Sequence, residues 1–265
     1  MKRSAAEVLA CLRDHVDFLD ETGAGFCLAW PERKPSPDAG ATVSTAPNPP
    51  ASLQARMGPK APAQPVSPPL AQPNEAAADA QDLGEIERQV LGCRLCPLHK
   101  LRTRAVPGEG SPSAELMFIG EGPGRDEDLQ GRPFVGRAGQ LLRKIIAAMT
   151  FREDEVYITN IVKCRPPENR VPHREEIETC LPYLVRQIEL IKPKVIVTLG
   201  KTPTEHFVPG RAAMGDLRGK FGDYKGIPVM PTFHPSYLIR NEGNREIRRM
   251  VWEDMQKVMA LLGRK

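Results

Sequence analysis

The sequence predicts an α/β domain with a mainly parallel, four-stranded central sheet covered on both faces, preceded by a long tract outside it. Three observations carry this expectation. Four short apolar runs recur through residues 115–233, helical periodicity separates them, and the composition changes abruptly before residue 82.

In chain order, Lys2–Leu19 places Val8, Leu9, Leu12, Val16 and Leu19 at three- and four-residue spacing, the pattern of a short amphipathic helix within an N-terminal segment 1–30. Residues 31–81 read as a disordered Pro/Ala-rich linker. Twelve of the chain's 27 prolines fall between Pro31 and Asn74, with too few large apolar residues to offset the entropy of ordering. The folded domain is therefore expected over 82–265. Its strands are Glu115–Gly120, Glu155–Val162, Lys194–Gly200 and Ile227–Phe233, continuous apolar runs of the kind that parallel sheets bury on both faces. Leu141, Leu142, Ile145, Ile146 and Met149 mark a helix between the first two. Ile177, Leu181, Leu184, Ile188 and Ile191 mark another, in which Pro182 is expected to introduce a bend.

The chain has 265 residues, a net charge of +4 and an ordinary composition. A mild positive charge permits a nucleic-acid partner without requiring one. No apolar run approaches the roughly 20 residues that span a bilayer, and the N-terminus lacks the apolar stretch of a signal peptide, so a cytoplasmic location is expected. Such a compartment disfavours disulfides. Cys93 and Cys96 form a CxxC pair, and Cys164 and Cys180 follow at long range, with no histidine at zinc-finger spacing. This points to a four-cysteine metal site, either structural zinc or a 4Fe-4S cluster. Cys11 and Cys27 lie outside it and read as small hydrophobes.

Parallel sheets bind ligands at the carboxyl ends of their strands. Three loops with unusual residues fall there. Gly120-Glu121-Gly122-Pro123-Gly124 leaves the first strand, with the carboxylates Glu121, Glu127 and Asp128 close by. Asn160 ends the second, offering an amide that can read another amide edge. His234-Pro235-Ser236 leaves the fourth. Phe134, in Arg-Pro-Phe-Val-Gly, fits either the core or a stacking surface for a flat ring.

From about Ile86 onward the chain resembles the family-4, iron-sulfur uracil-DNA glycosylases, through GEGPGRDEDLQGRPFVGRAGQLL, TNIVKCRPPENR, HPSYLIRN and the four cysteines. The resemblance implies an α/β/α sandwich that flips deoxyuridine out of DNA and hydrolyses its N-glycosidic bond. It implies a 4Fe-4S cluster on Cys93, Cys96, Cys164 and Cys180. Glu121, Gly122 and Pro123 would border uracil, Phe134 would stack on it, Asn160 would read its edge and His234 would face its O2. Other uracil glycosylases carry a water-positioning aspartate where this chain has Gly122. Glu121, Glu127 and Asp128 are then the candidates, with Glu127 favoured. A related branch traps uracil through a histidine in the loop after TNxxK; here that loop is CRPPENRVPHREE, and His173 reads as a helix-entry residue.

Arg211, Arg218, Lys220, Arg240, Arg245, Arg248 and Arg249 flank the histidine loop and are expected to grip DNA phosphates. Tyr237 or Leu238 is expected to wedge into the base stack. The expected partner is uracil-containing DNA, single- or double-stranded, handled by a monomer at the nucleoid. The N-terminal segment is expected to recruit a replication or repair protein. The competing reading is a non-catalytic iron-sulfur module for DNA binding or electron transfer.

Overall fold

The computed structural model describes residue 77 and residues 79–264, apart from 209 and 211. The expected N-terminal helix, nearly all of the linker, Cys11, Cys27 and Arg211 lie outside the described residues.

Helix α1 (Leu83–Gly92) begins at Asp82, whose carboxylate accepts the Glu85 N–H. Ala77 and Ala80, before that cap, are already buried in the domain's core. The sheet contains β1 (Glu109–Gly110), β2 (Leu116–Gly120), β3 (Tyr157–Asn160), β4 (Val195–Leu199), β5 (Gly222–Tyr224) and β6 (Ile227–Thr232), in the order β1-β3-β2-β4-β6-β5. The four expected strands are the four central, mutually parallel ones. The two edge strands are antiparallel additions, so the sheet is six-stranded and mixed.

Every residue of β2, β3 and β4 is buried, and alternation divides them between two cores. Leu116 and Phe118 of β2 face one side, with Leu142 and Ile146 of α3 (Arg137–Ala148) and Val251 and Met255 of α8 (Arg245–Leu261). Met117 and Ile119 face the other, with Ile86 and Val90 of α1 and Leu184 and Ile188 of α4 (Arg174–Ile191). This gives three layers. Helix α4 runs unbroken through Pro182. The remaining helices are short: α2 (Arg125–Gln130), α5 (Lys201–Phe207), α6 (Met214–Leu217) and α7 (Pro235–Arg240).

Helix α7 separates the two candidate wedges. Leu238 is 1% exposed and belongs to the first core, whereas Tyr237 is 37% exposed. Leu238 is therefore corrected from a DNA wedge to a core residue, because successive helical residues point about 100° apart. Leu238→Ala should destabilise the protein by about 2–4 kcal/mol, and Tyr237→Ala by within about 0.5 kcal/mol, in urea unfolding.

Candidate active site

The chain leaves β2 for β3 on one side and then crosses to β4 on the other, so the connections diverge at the carboxyl end of β2. A cavity of about 730 Å³ opens there. Glu121, Gly122, Pro123, Phe134, Asn160 and His234, from three separate stretches of sequence, all line it. Tyr237 and Arg240 stand at its edge on α7.

The strand ends are held together by backbone. Ile161 N–H donates to the Gly120 carbonyl at 2.9 Å and Val162 N–H to the Glu121 carbonyl at 3.2 Å, and Gly120 is in register with Asn160. Gly120 has no room for a side chain. A Cβ would lie 2.4 Å from Asn160 Oδ1 and 2.6 Å from Phe134 Cζ, which places the amide oxygen beside the phenyl ring. Asn160 is 2% exposed, and its Oδ1 is buried with no hydrogen-bond partner. Leaving a buried acceptor unpaired costs about 1–3 kcal/mol, so this oxygen signals a missing donor.

Phe134 is 6% exposed and holds φ +52°, a left-handed conformation uncommon for a non-glycine residue. Arg143 donates to its carbonyl. Gly139 of α3 packs so closely on it that a Cβ would lie 1.7 Å from the same carbonyl oxygen. The strained backbone thus has support from two sides, and the ring sits with its centroid 5.9 Å from that of His234.

His234 caps α7. Its Nδ1 accepts the Ser236 N–H at 3.1 Å and also contacts the Ser236 hydroxyl. A backbone N–H can only donate, so Nδ1 carries no proton and the neutral ring holds its proton on Nε2. Burial, aided by the Arg240 charge, pushes this imidazole down to about 4. It remains neutral at physiological pH. Gly200, at φ +91°, lets β4 turn close beneath it, where a Cβ would sit 3.1 Å from that of His234.

The three candidate carboxylates have separate surroundings. Glu121 accepts a hydrogen bond from the Thr202 hydroxyl on α5. Glu127 accepts the N–H groups of Gly124 at 3.0 Å and of Val135 and Gly136 at 2.9 Å each, tying the glycine loop to the start of α3. Three of its roughly four acceptor positions are thereby filled, and any water it holds uses the fourth. Asp128 is 3% exposed and accepts from the Thr103 and Arg104 N–H groups instead. It does not line the cavity.

Among the basic residues, Arg218 is corrected from a DNA contact. It forms a buried pair with Asp254, which also accepts the Thr232 hydroxyl at 2.7 Å, two residues before His234. Arg249 pairs with Glu246 and Glu253. His173 stands at the entry of α4, its N–H bound by Glu176 at 2.7 Å.

The sequence reading passed over Lys163. It is 1% exposed, and its ammonium donates to Thr159 Oγ1 at 2.6 Å, Gln187 Oε1 at 2.7 Å and the Asn160 carbonyl at 2.9 Å. Burial lowers its pKa to about 7. A lysine directly following the strand run EVYITNIV was the available signal.

Cys93 and Cys96 are partly buried, Cys164 and Cys180 buried, and all four are free thiols packed around the second core. Arg102 donates to Cys164 Sγ at 2.9 Å and to the Cys93 and Leu91 carbonyls, while the Lys163 N–H donates to Cys180 Sγ at 3.2 Å. Among the described residues, no three of His, Cys, Asp and Glu are gathered as a site for a single ion.

The fold and the pocket define the class: residues 107–256 match the uracil DNA glycosylase superfamily. Within it, the chain is 48% identical over 179 residues to the type-4 uracil-DNA glycosylase of Thermotoga maritima, covering 67% of this chain and 93% of that one. It is 42% identical over 193 residues to the type-4 enzyme of Archaeoglobus fulgidus, covering 70% and 96%. The chain belongs to the type-4 uracil-DNA glycosylases. A stretch of 151 residues is also 31% identical to part of a DNA polymerase of Bacillus phage SP01, covering 57% of this chain and 16% of that one.

Proposed function

We propose that this chain flips deoxyuridine out of DNA and hydrolyses its N-glycosidic bond, releasing uracil and leaving an abasic site for base excision repair. The unpartnered Oδ1 of Asn160 beside the Phe134 ring carries this reading. Uracil has a flat ring for the phenyl group and an N3–H donor for the orphan acceptor. Cytosine has no proton on N3 and would leave it unpaired.

As the sugar-to-N1 bond breaks, its electron pair moves to the uracil ring and negative charge grows on O2. The Nε2–H of neutral His234 is placed to donate to that oxygen without surrendering its proton. Water adds to the sugar carbon and loses a proton. Backbone around Glu121, Gly122 and Pro123 borders the base, and the remaining acceptor position of Glu127 serves the water.

Cys93, Cys96, Cys164 and Cys180 would hold a 4Fe-4S cluster. The donor set fits: four thiols, none in a disulfide, with N–H groups directed at two of the sulfurs. When bound, the cluster supplies a cross-link between the CxxC segment and α4, and the chemistry stays with the pocket. Zinc is the less favoured occupant, since among the described residues no three of these side chains are gathered for a single ion.

Tyr237 is the wedge that fills the stack, and Arg240, Arg245 and Lys220 meet phosphates. No helix among the described residues is long and apolar enough to cross a membrane. The enzyme acts as a monomer at the nucleoid. The N-terminal segment recruits a replication or repair protein.

The test is a labelled oligonucleotide with one deoxyuridine, incubated with the protein and then treated with alkali. Scission at that position is expected, and none from an oligonucleotide with thymidine there. A folded, metal-loaded protein that cuts neither would favour the silent iron-sulfur module.

A further inference from the structure

We propose that Val171 is a second apolar wedge, which presses on the base step flanking the flipped nucleotide and adapts the enzyme to duplex DNA. The inference rests on the base-excision reading of the pocket. Among the described residues only eight large hydrophobic side chains are exposed, and just two of them, Tyr237 and Val171, line the cavity. Val171 is 60% exposed. What sets these two apart from the other exposed apolar side chains is their place at the mouth, and apolar wedges at a DNA surface are used to part stacked bases.

The two residues reach the mouth from opposite sides. Tyr237 follows β6 and Val171 follows β3, and two strands lie between these in the sheet. Those two strands stand three interstrand steps, roughly 14 Å, apart. Tyr237 occupies the gap left by the flipped base, and Val171 meets the neighbouring step.

The loop presenting Val171 is built at a conformational cost. Glu168 and Asn169 hold φ +54° and +55°, two consecutive left-handed residues neither of which is glycine. Such strain persists only where the surroundings enforce it. Here Arg165 Nε donates to Asn169 Oδ1 at 2.8 Å, and Arg170 forms a bidentate pair with Glu176 at 2.8 and 2.7 Å. Glu176 is itself 4% exposed and anchored at the start of α4. The loop is fixed at both ends and holds a valine out toward solvent at the rim of the pocket.

Unstacking is needed in a duplex and far less in a single strand. The quantity to measure is the ratio of kcat/KM on a U·G duplex to kcat/KM on the single strand of the same sequence. Val171→Ser should lower this ratio about tenfold, and Val171→Leu should retain it. With 2-aminopurine beside the deoxyuridine, the fluorescence rise on binding duplex should shrink in the serine variant. Because Val171 is exposed, melting temperature should stay within about 2 °C. A serine variant with the wild-type ratio and fluorescence overturns the wedge. Wild type that cleaves neither substrate overturns the glycosylase reading instead.

Discussion

His234→Ala is expected to lower kcat about 100- to 1,000-fold on deoxyuridine DNA, with a much smaller change in KM. That is the range for removing one preorganised donor from the site of a developing oxyanion. The split between kcat and KM follows from timing. Uracil O2 carries little charge in the bound substrate and much more once the glycosidic bond stretches, so the Nε2–H bond strengthens mainly in the transition state. Ser236 occupies Nδ1 through its backbone N–H and so fixes which nitrogen bears the proton. His234→Gln, which keeps a donor on a flexible side chain, should recover part of the loss. An alanine variant with wild-type kcat would remove His234 from the chemistry.

The same residue predicts a pH dependence of known sign. Its folded pKa, about 4, lies below the ordinary histidine value near 6.5. Between those values the unfolded chain binds a proton that the folded protein refuses. Stability therefore falls as pH drops from about 6.5 to about 4, by on the order of 3 kcal/mol from this residue. His234→Ala removes the penalty, so wild type should lose melting temperature relative to the variant between pH 7 and pH 5. Turnover should show no His234 ionisation above pH 5, because the imidazole is neutral throughout.

Much of this architecture was legible in the sequence because its strongest signals come from complete burial. A strand covered on both faces reads as a near-continuous apolar run, as Leu116–Gly120 and, Thr198 apart, Val195–Leu199 do. The edge strands were invisible for the complementary reason. Glu109–Gly110 and Gly222–Tyr224 have two and three residues, partly exposed, too short for any alternation to register. The loops at the sheet edge gathered as expected because topology alone brings strand ends together. The partners of the carboxylates were beyond reach. Glu127 and Asp128 are adjacent in sequence, yet one binds the glycine loop and the other the Thr103–Arg104 turn. Only the placement of remote backbone N–H groups separates them. Likewise Leu238 and Tyr237 are neighbours of opposite fate, decided by which face of a six-residue helix meets α3 and α8.

Cys180→Ser is expected to yield a colourless protein with little iron and sulfide, and a melting temperature lower by on the order of 10 °C or more. Serine places a hydroxyl in this apolar site, which by itself costs about 1–3 kcal/mol, so the iron and sulfide content, read beside the melting temperature, separates loss of the cluster from that cost. Cys180 is buried in α4, with Lys163 N–H donating to its sulfur, and the apolar surroundings push its thiol up to about 12. A buried thiol at that pKa is inert, and it becomes a ligand only when a strongly bound metal centre displaces its proton. Binding energy of that kind is folding energy, and it joins the CxxC segment, Cys164 and α4, with Cys96 and Cys180 84 positions apart in the chain. Cys164→Ser should behave alike, and Arg102→Gln should accelerate loss of colour, because Arg102 donates to Cys164 Sγ and to the Cys93 carbonyl. Cys11→Ser and Cys27→Ser serve as controls and should leave iron content and melting unchanged. Iron, sulfide and melting measured on the same preparations decide the matter. A colourless wild type with one zinc per chain would assign the four thiols to zinc, and a Cys180→Ser variant with full iron and wild-type melting would remove Cys180 from the ligand set.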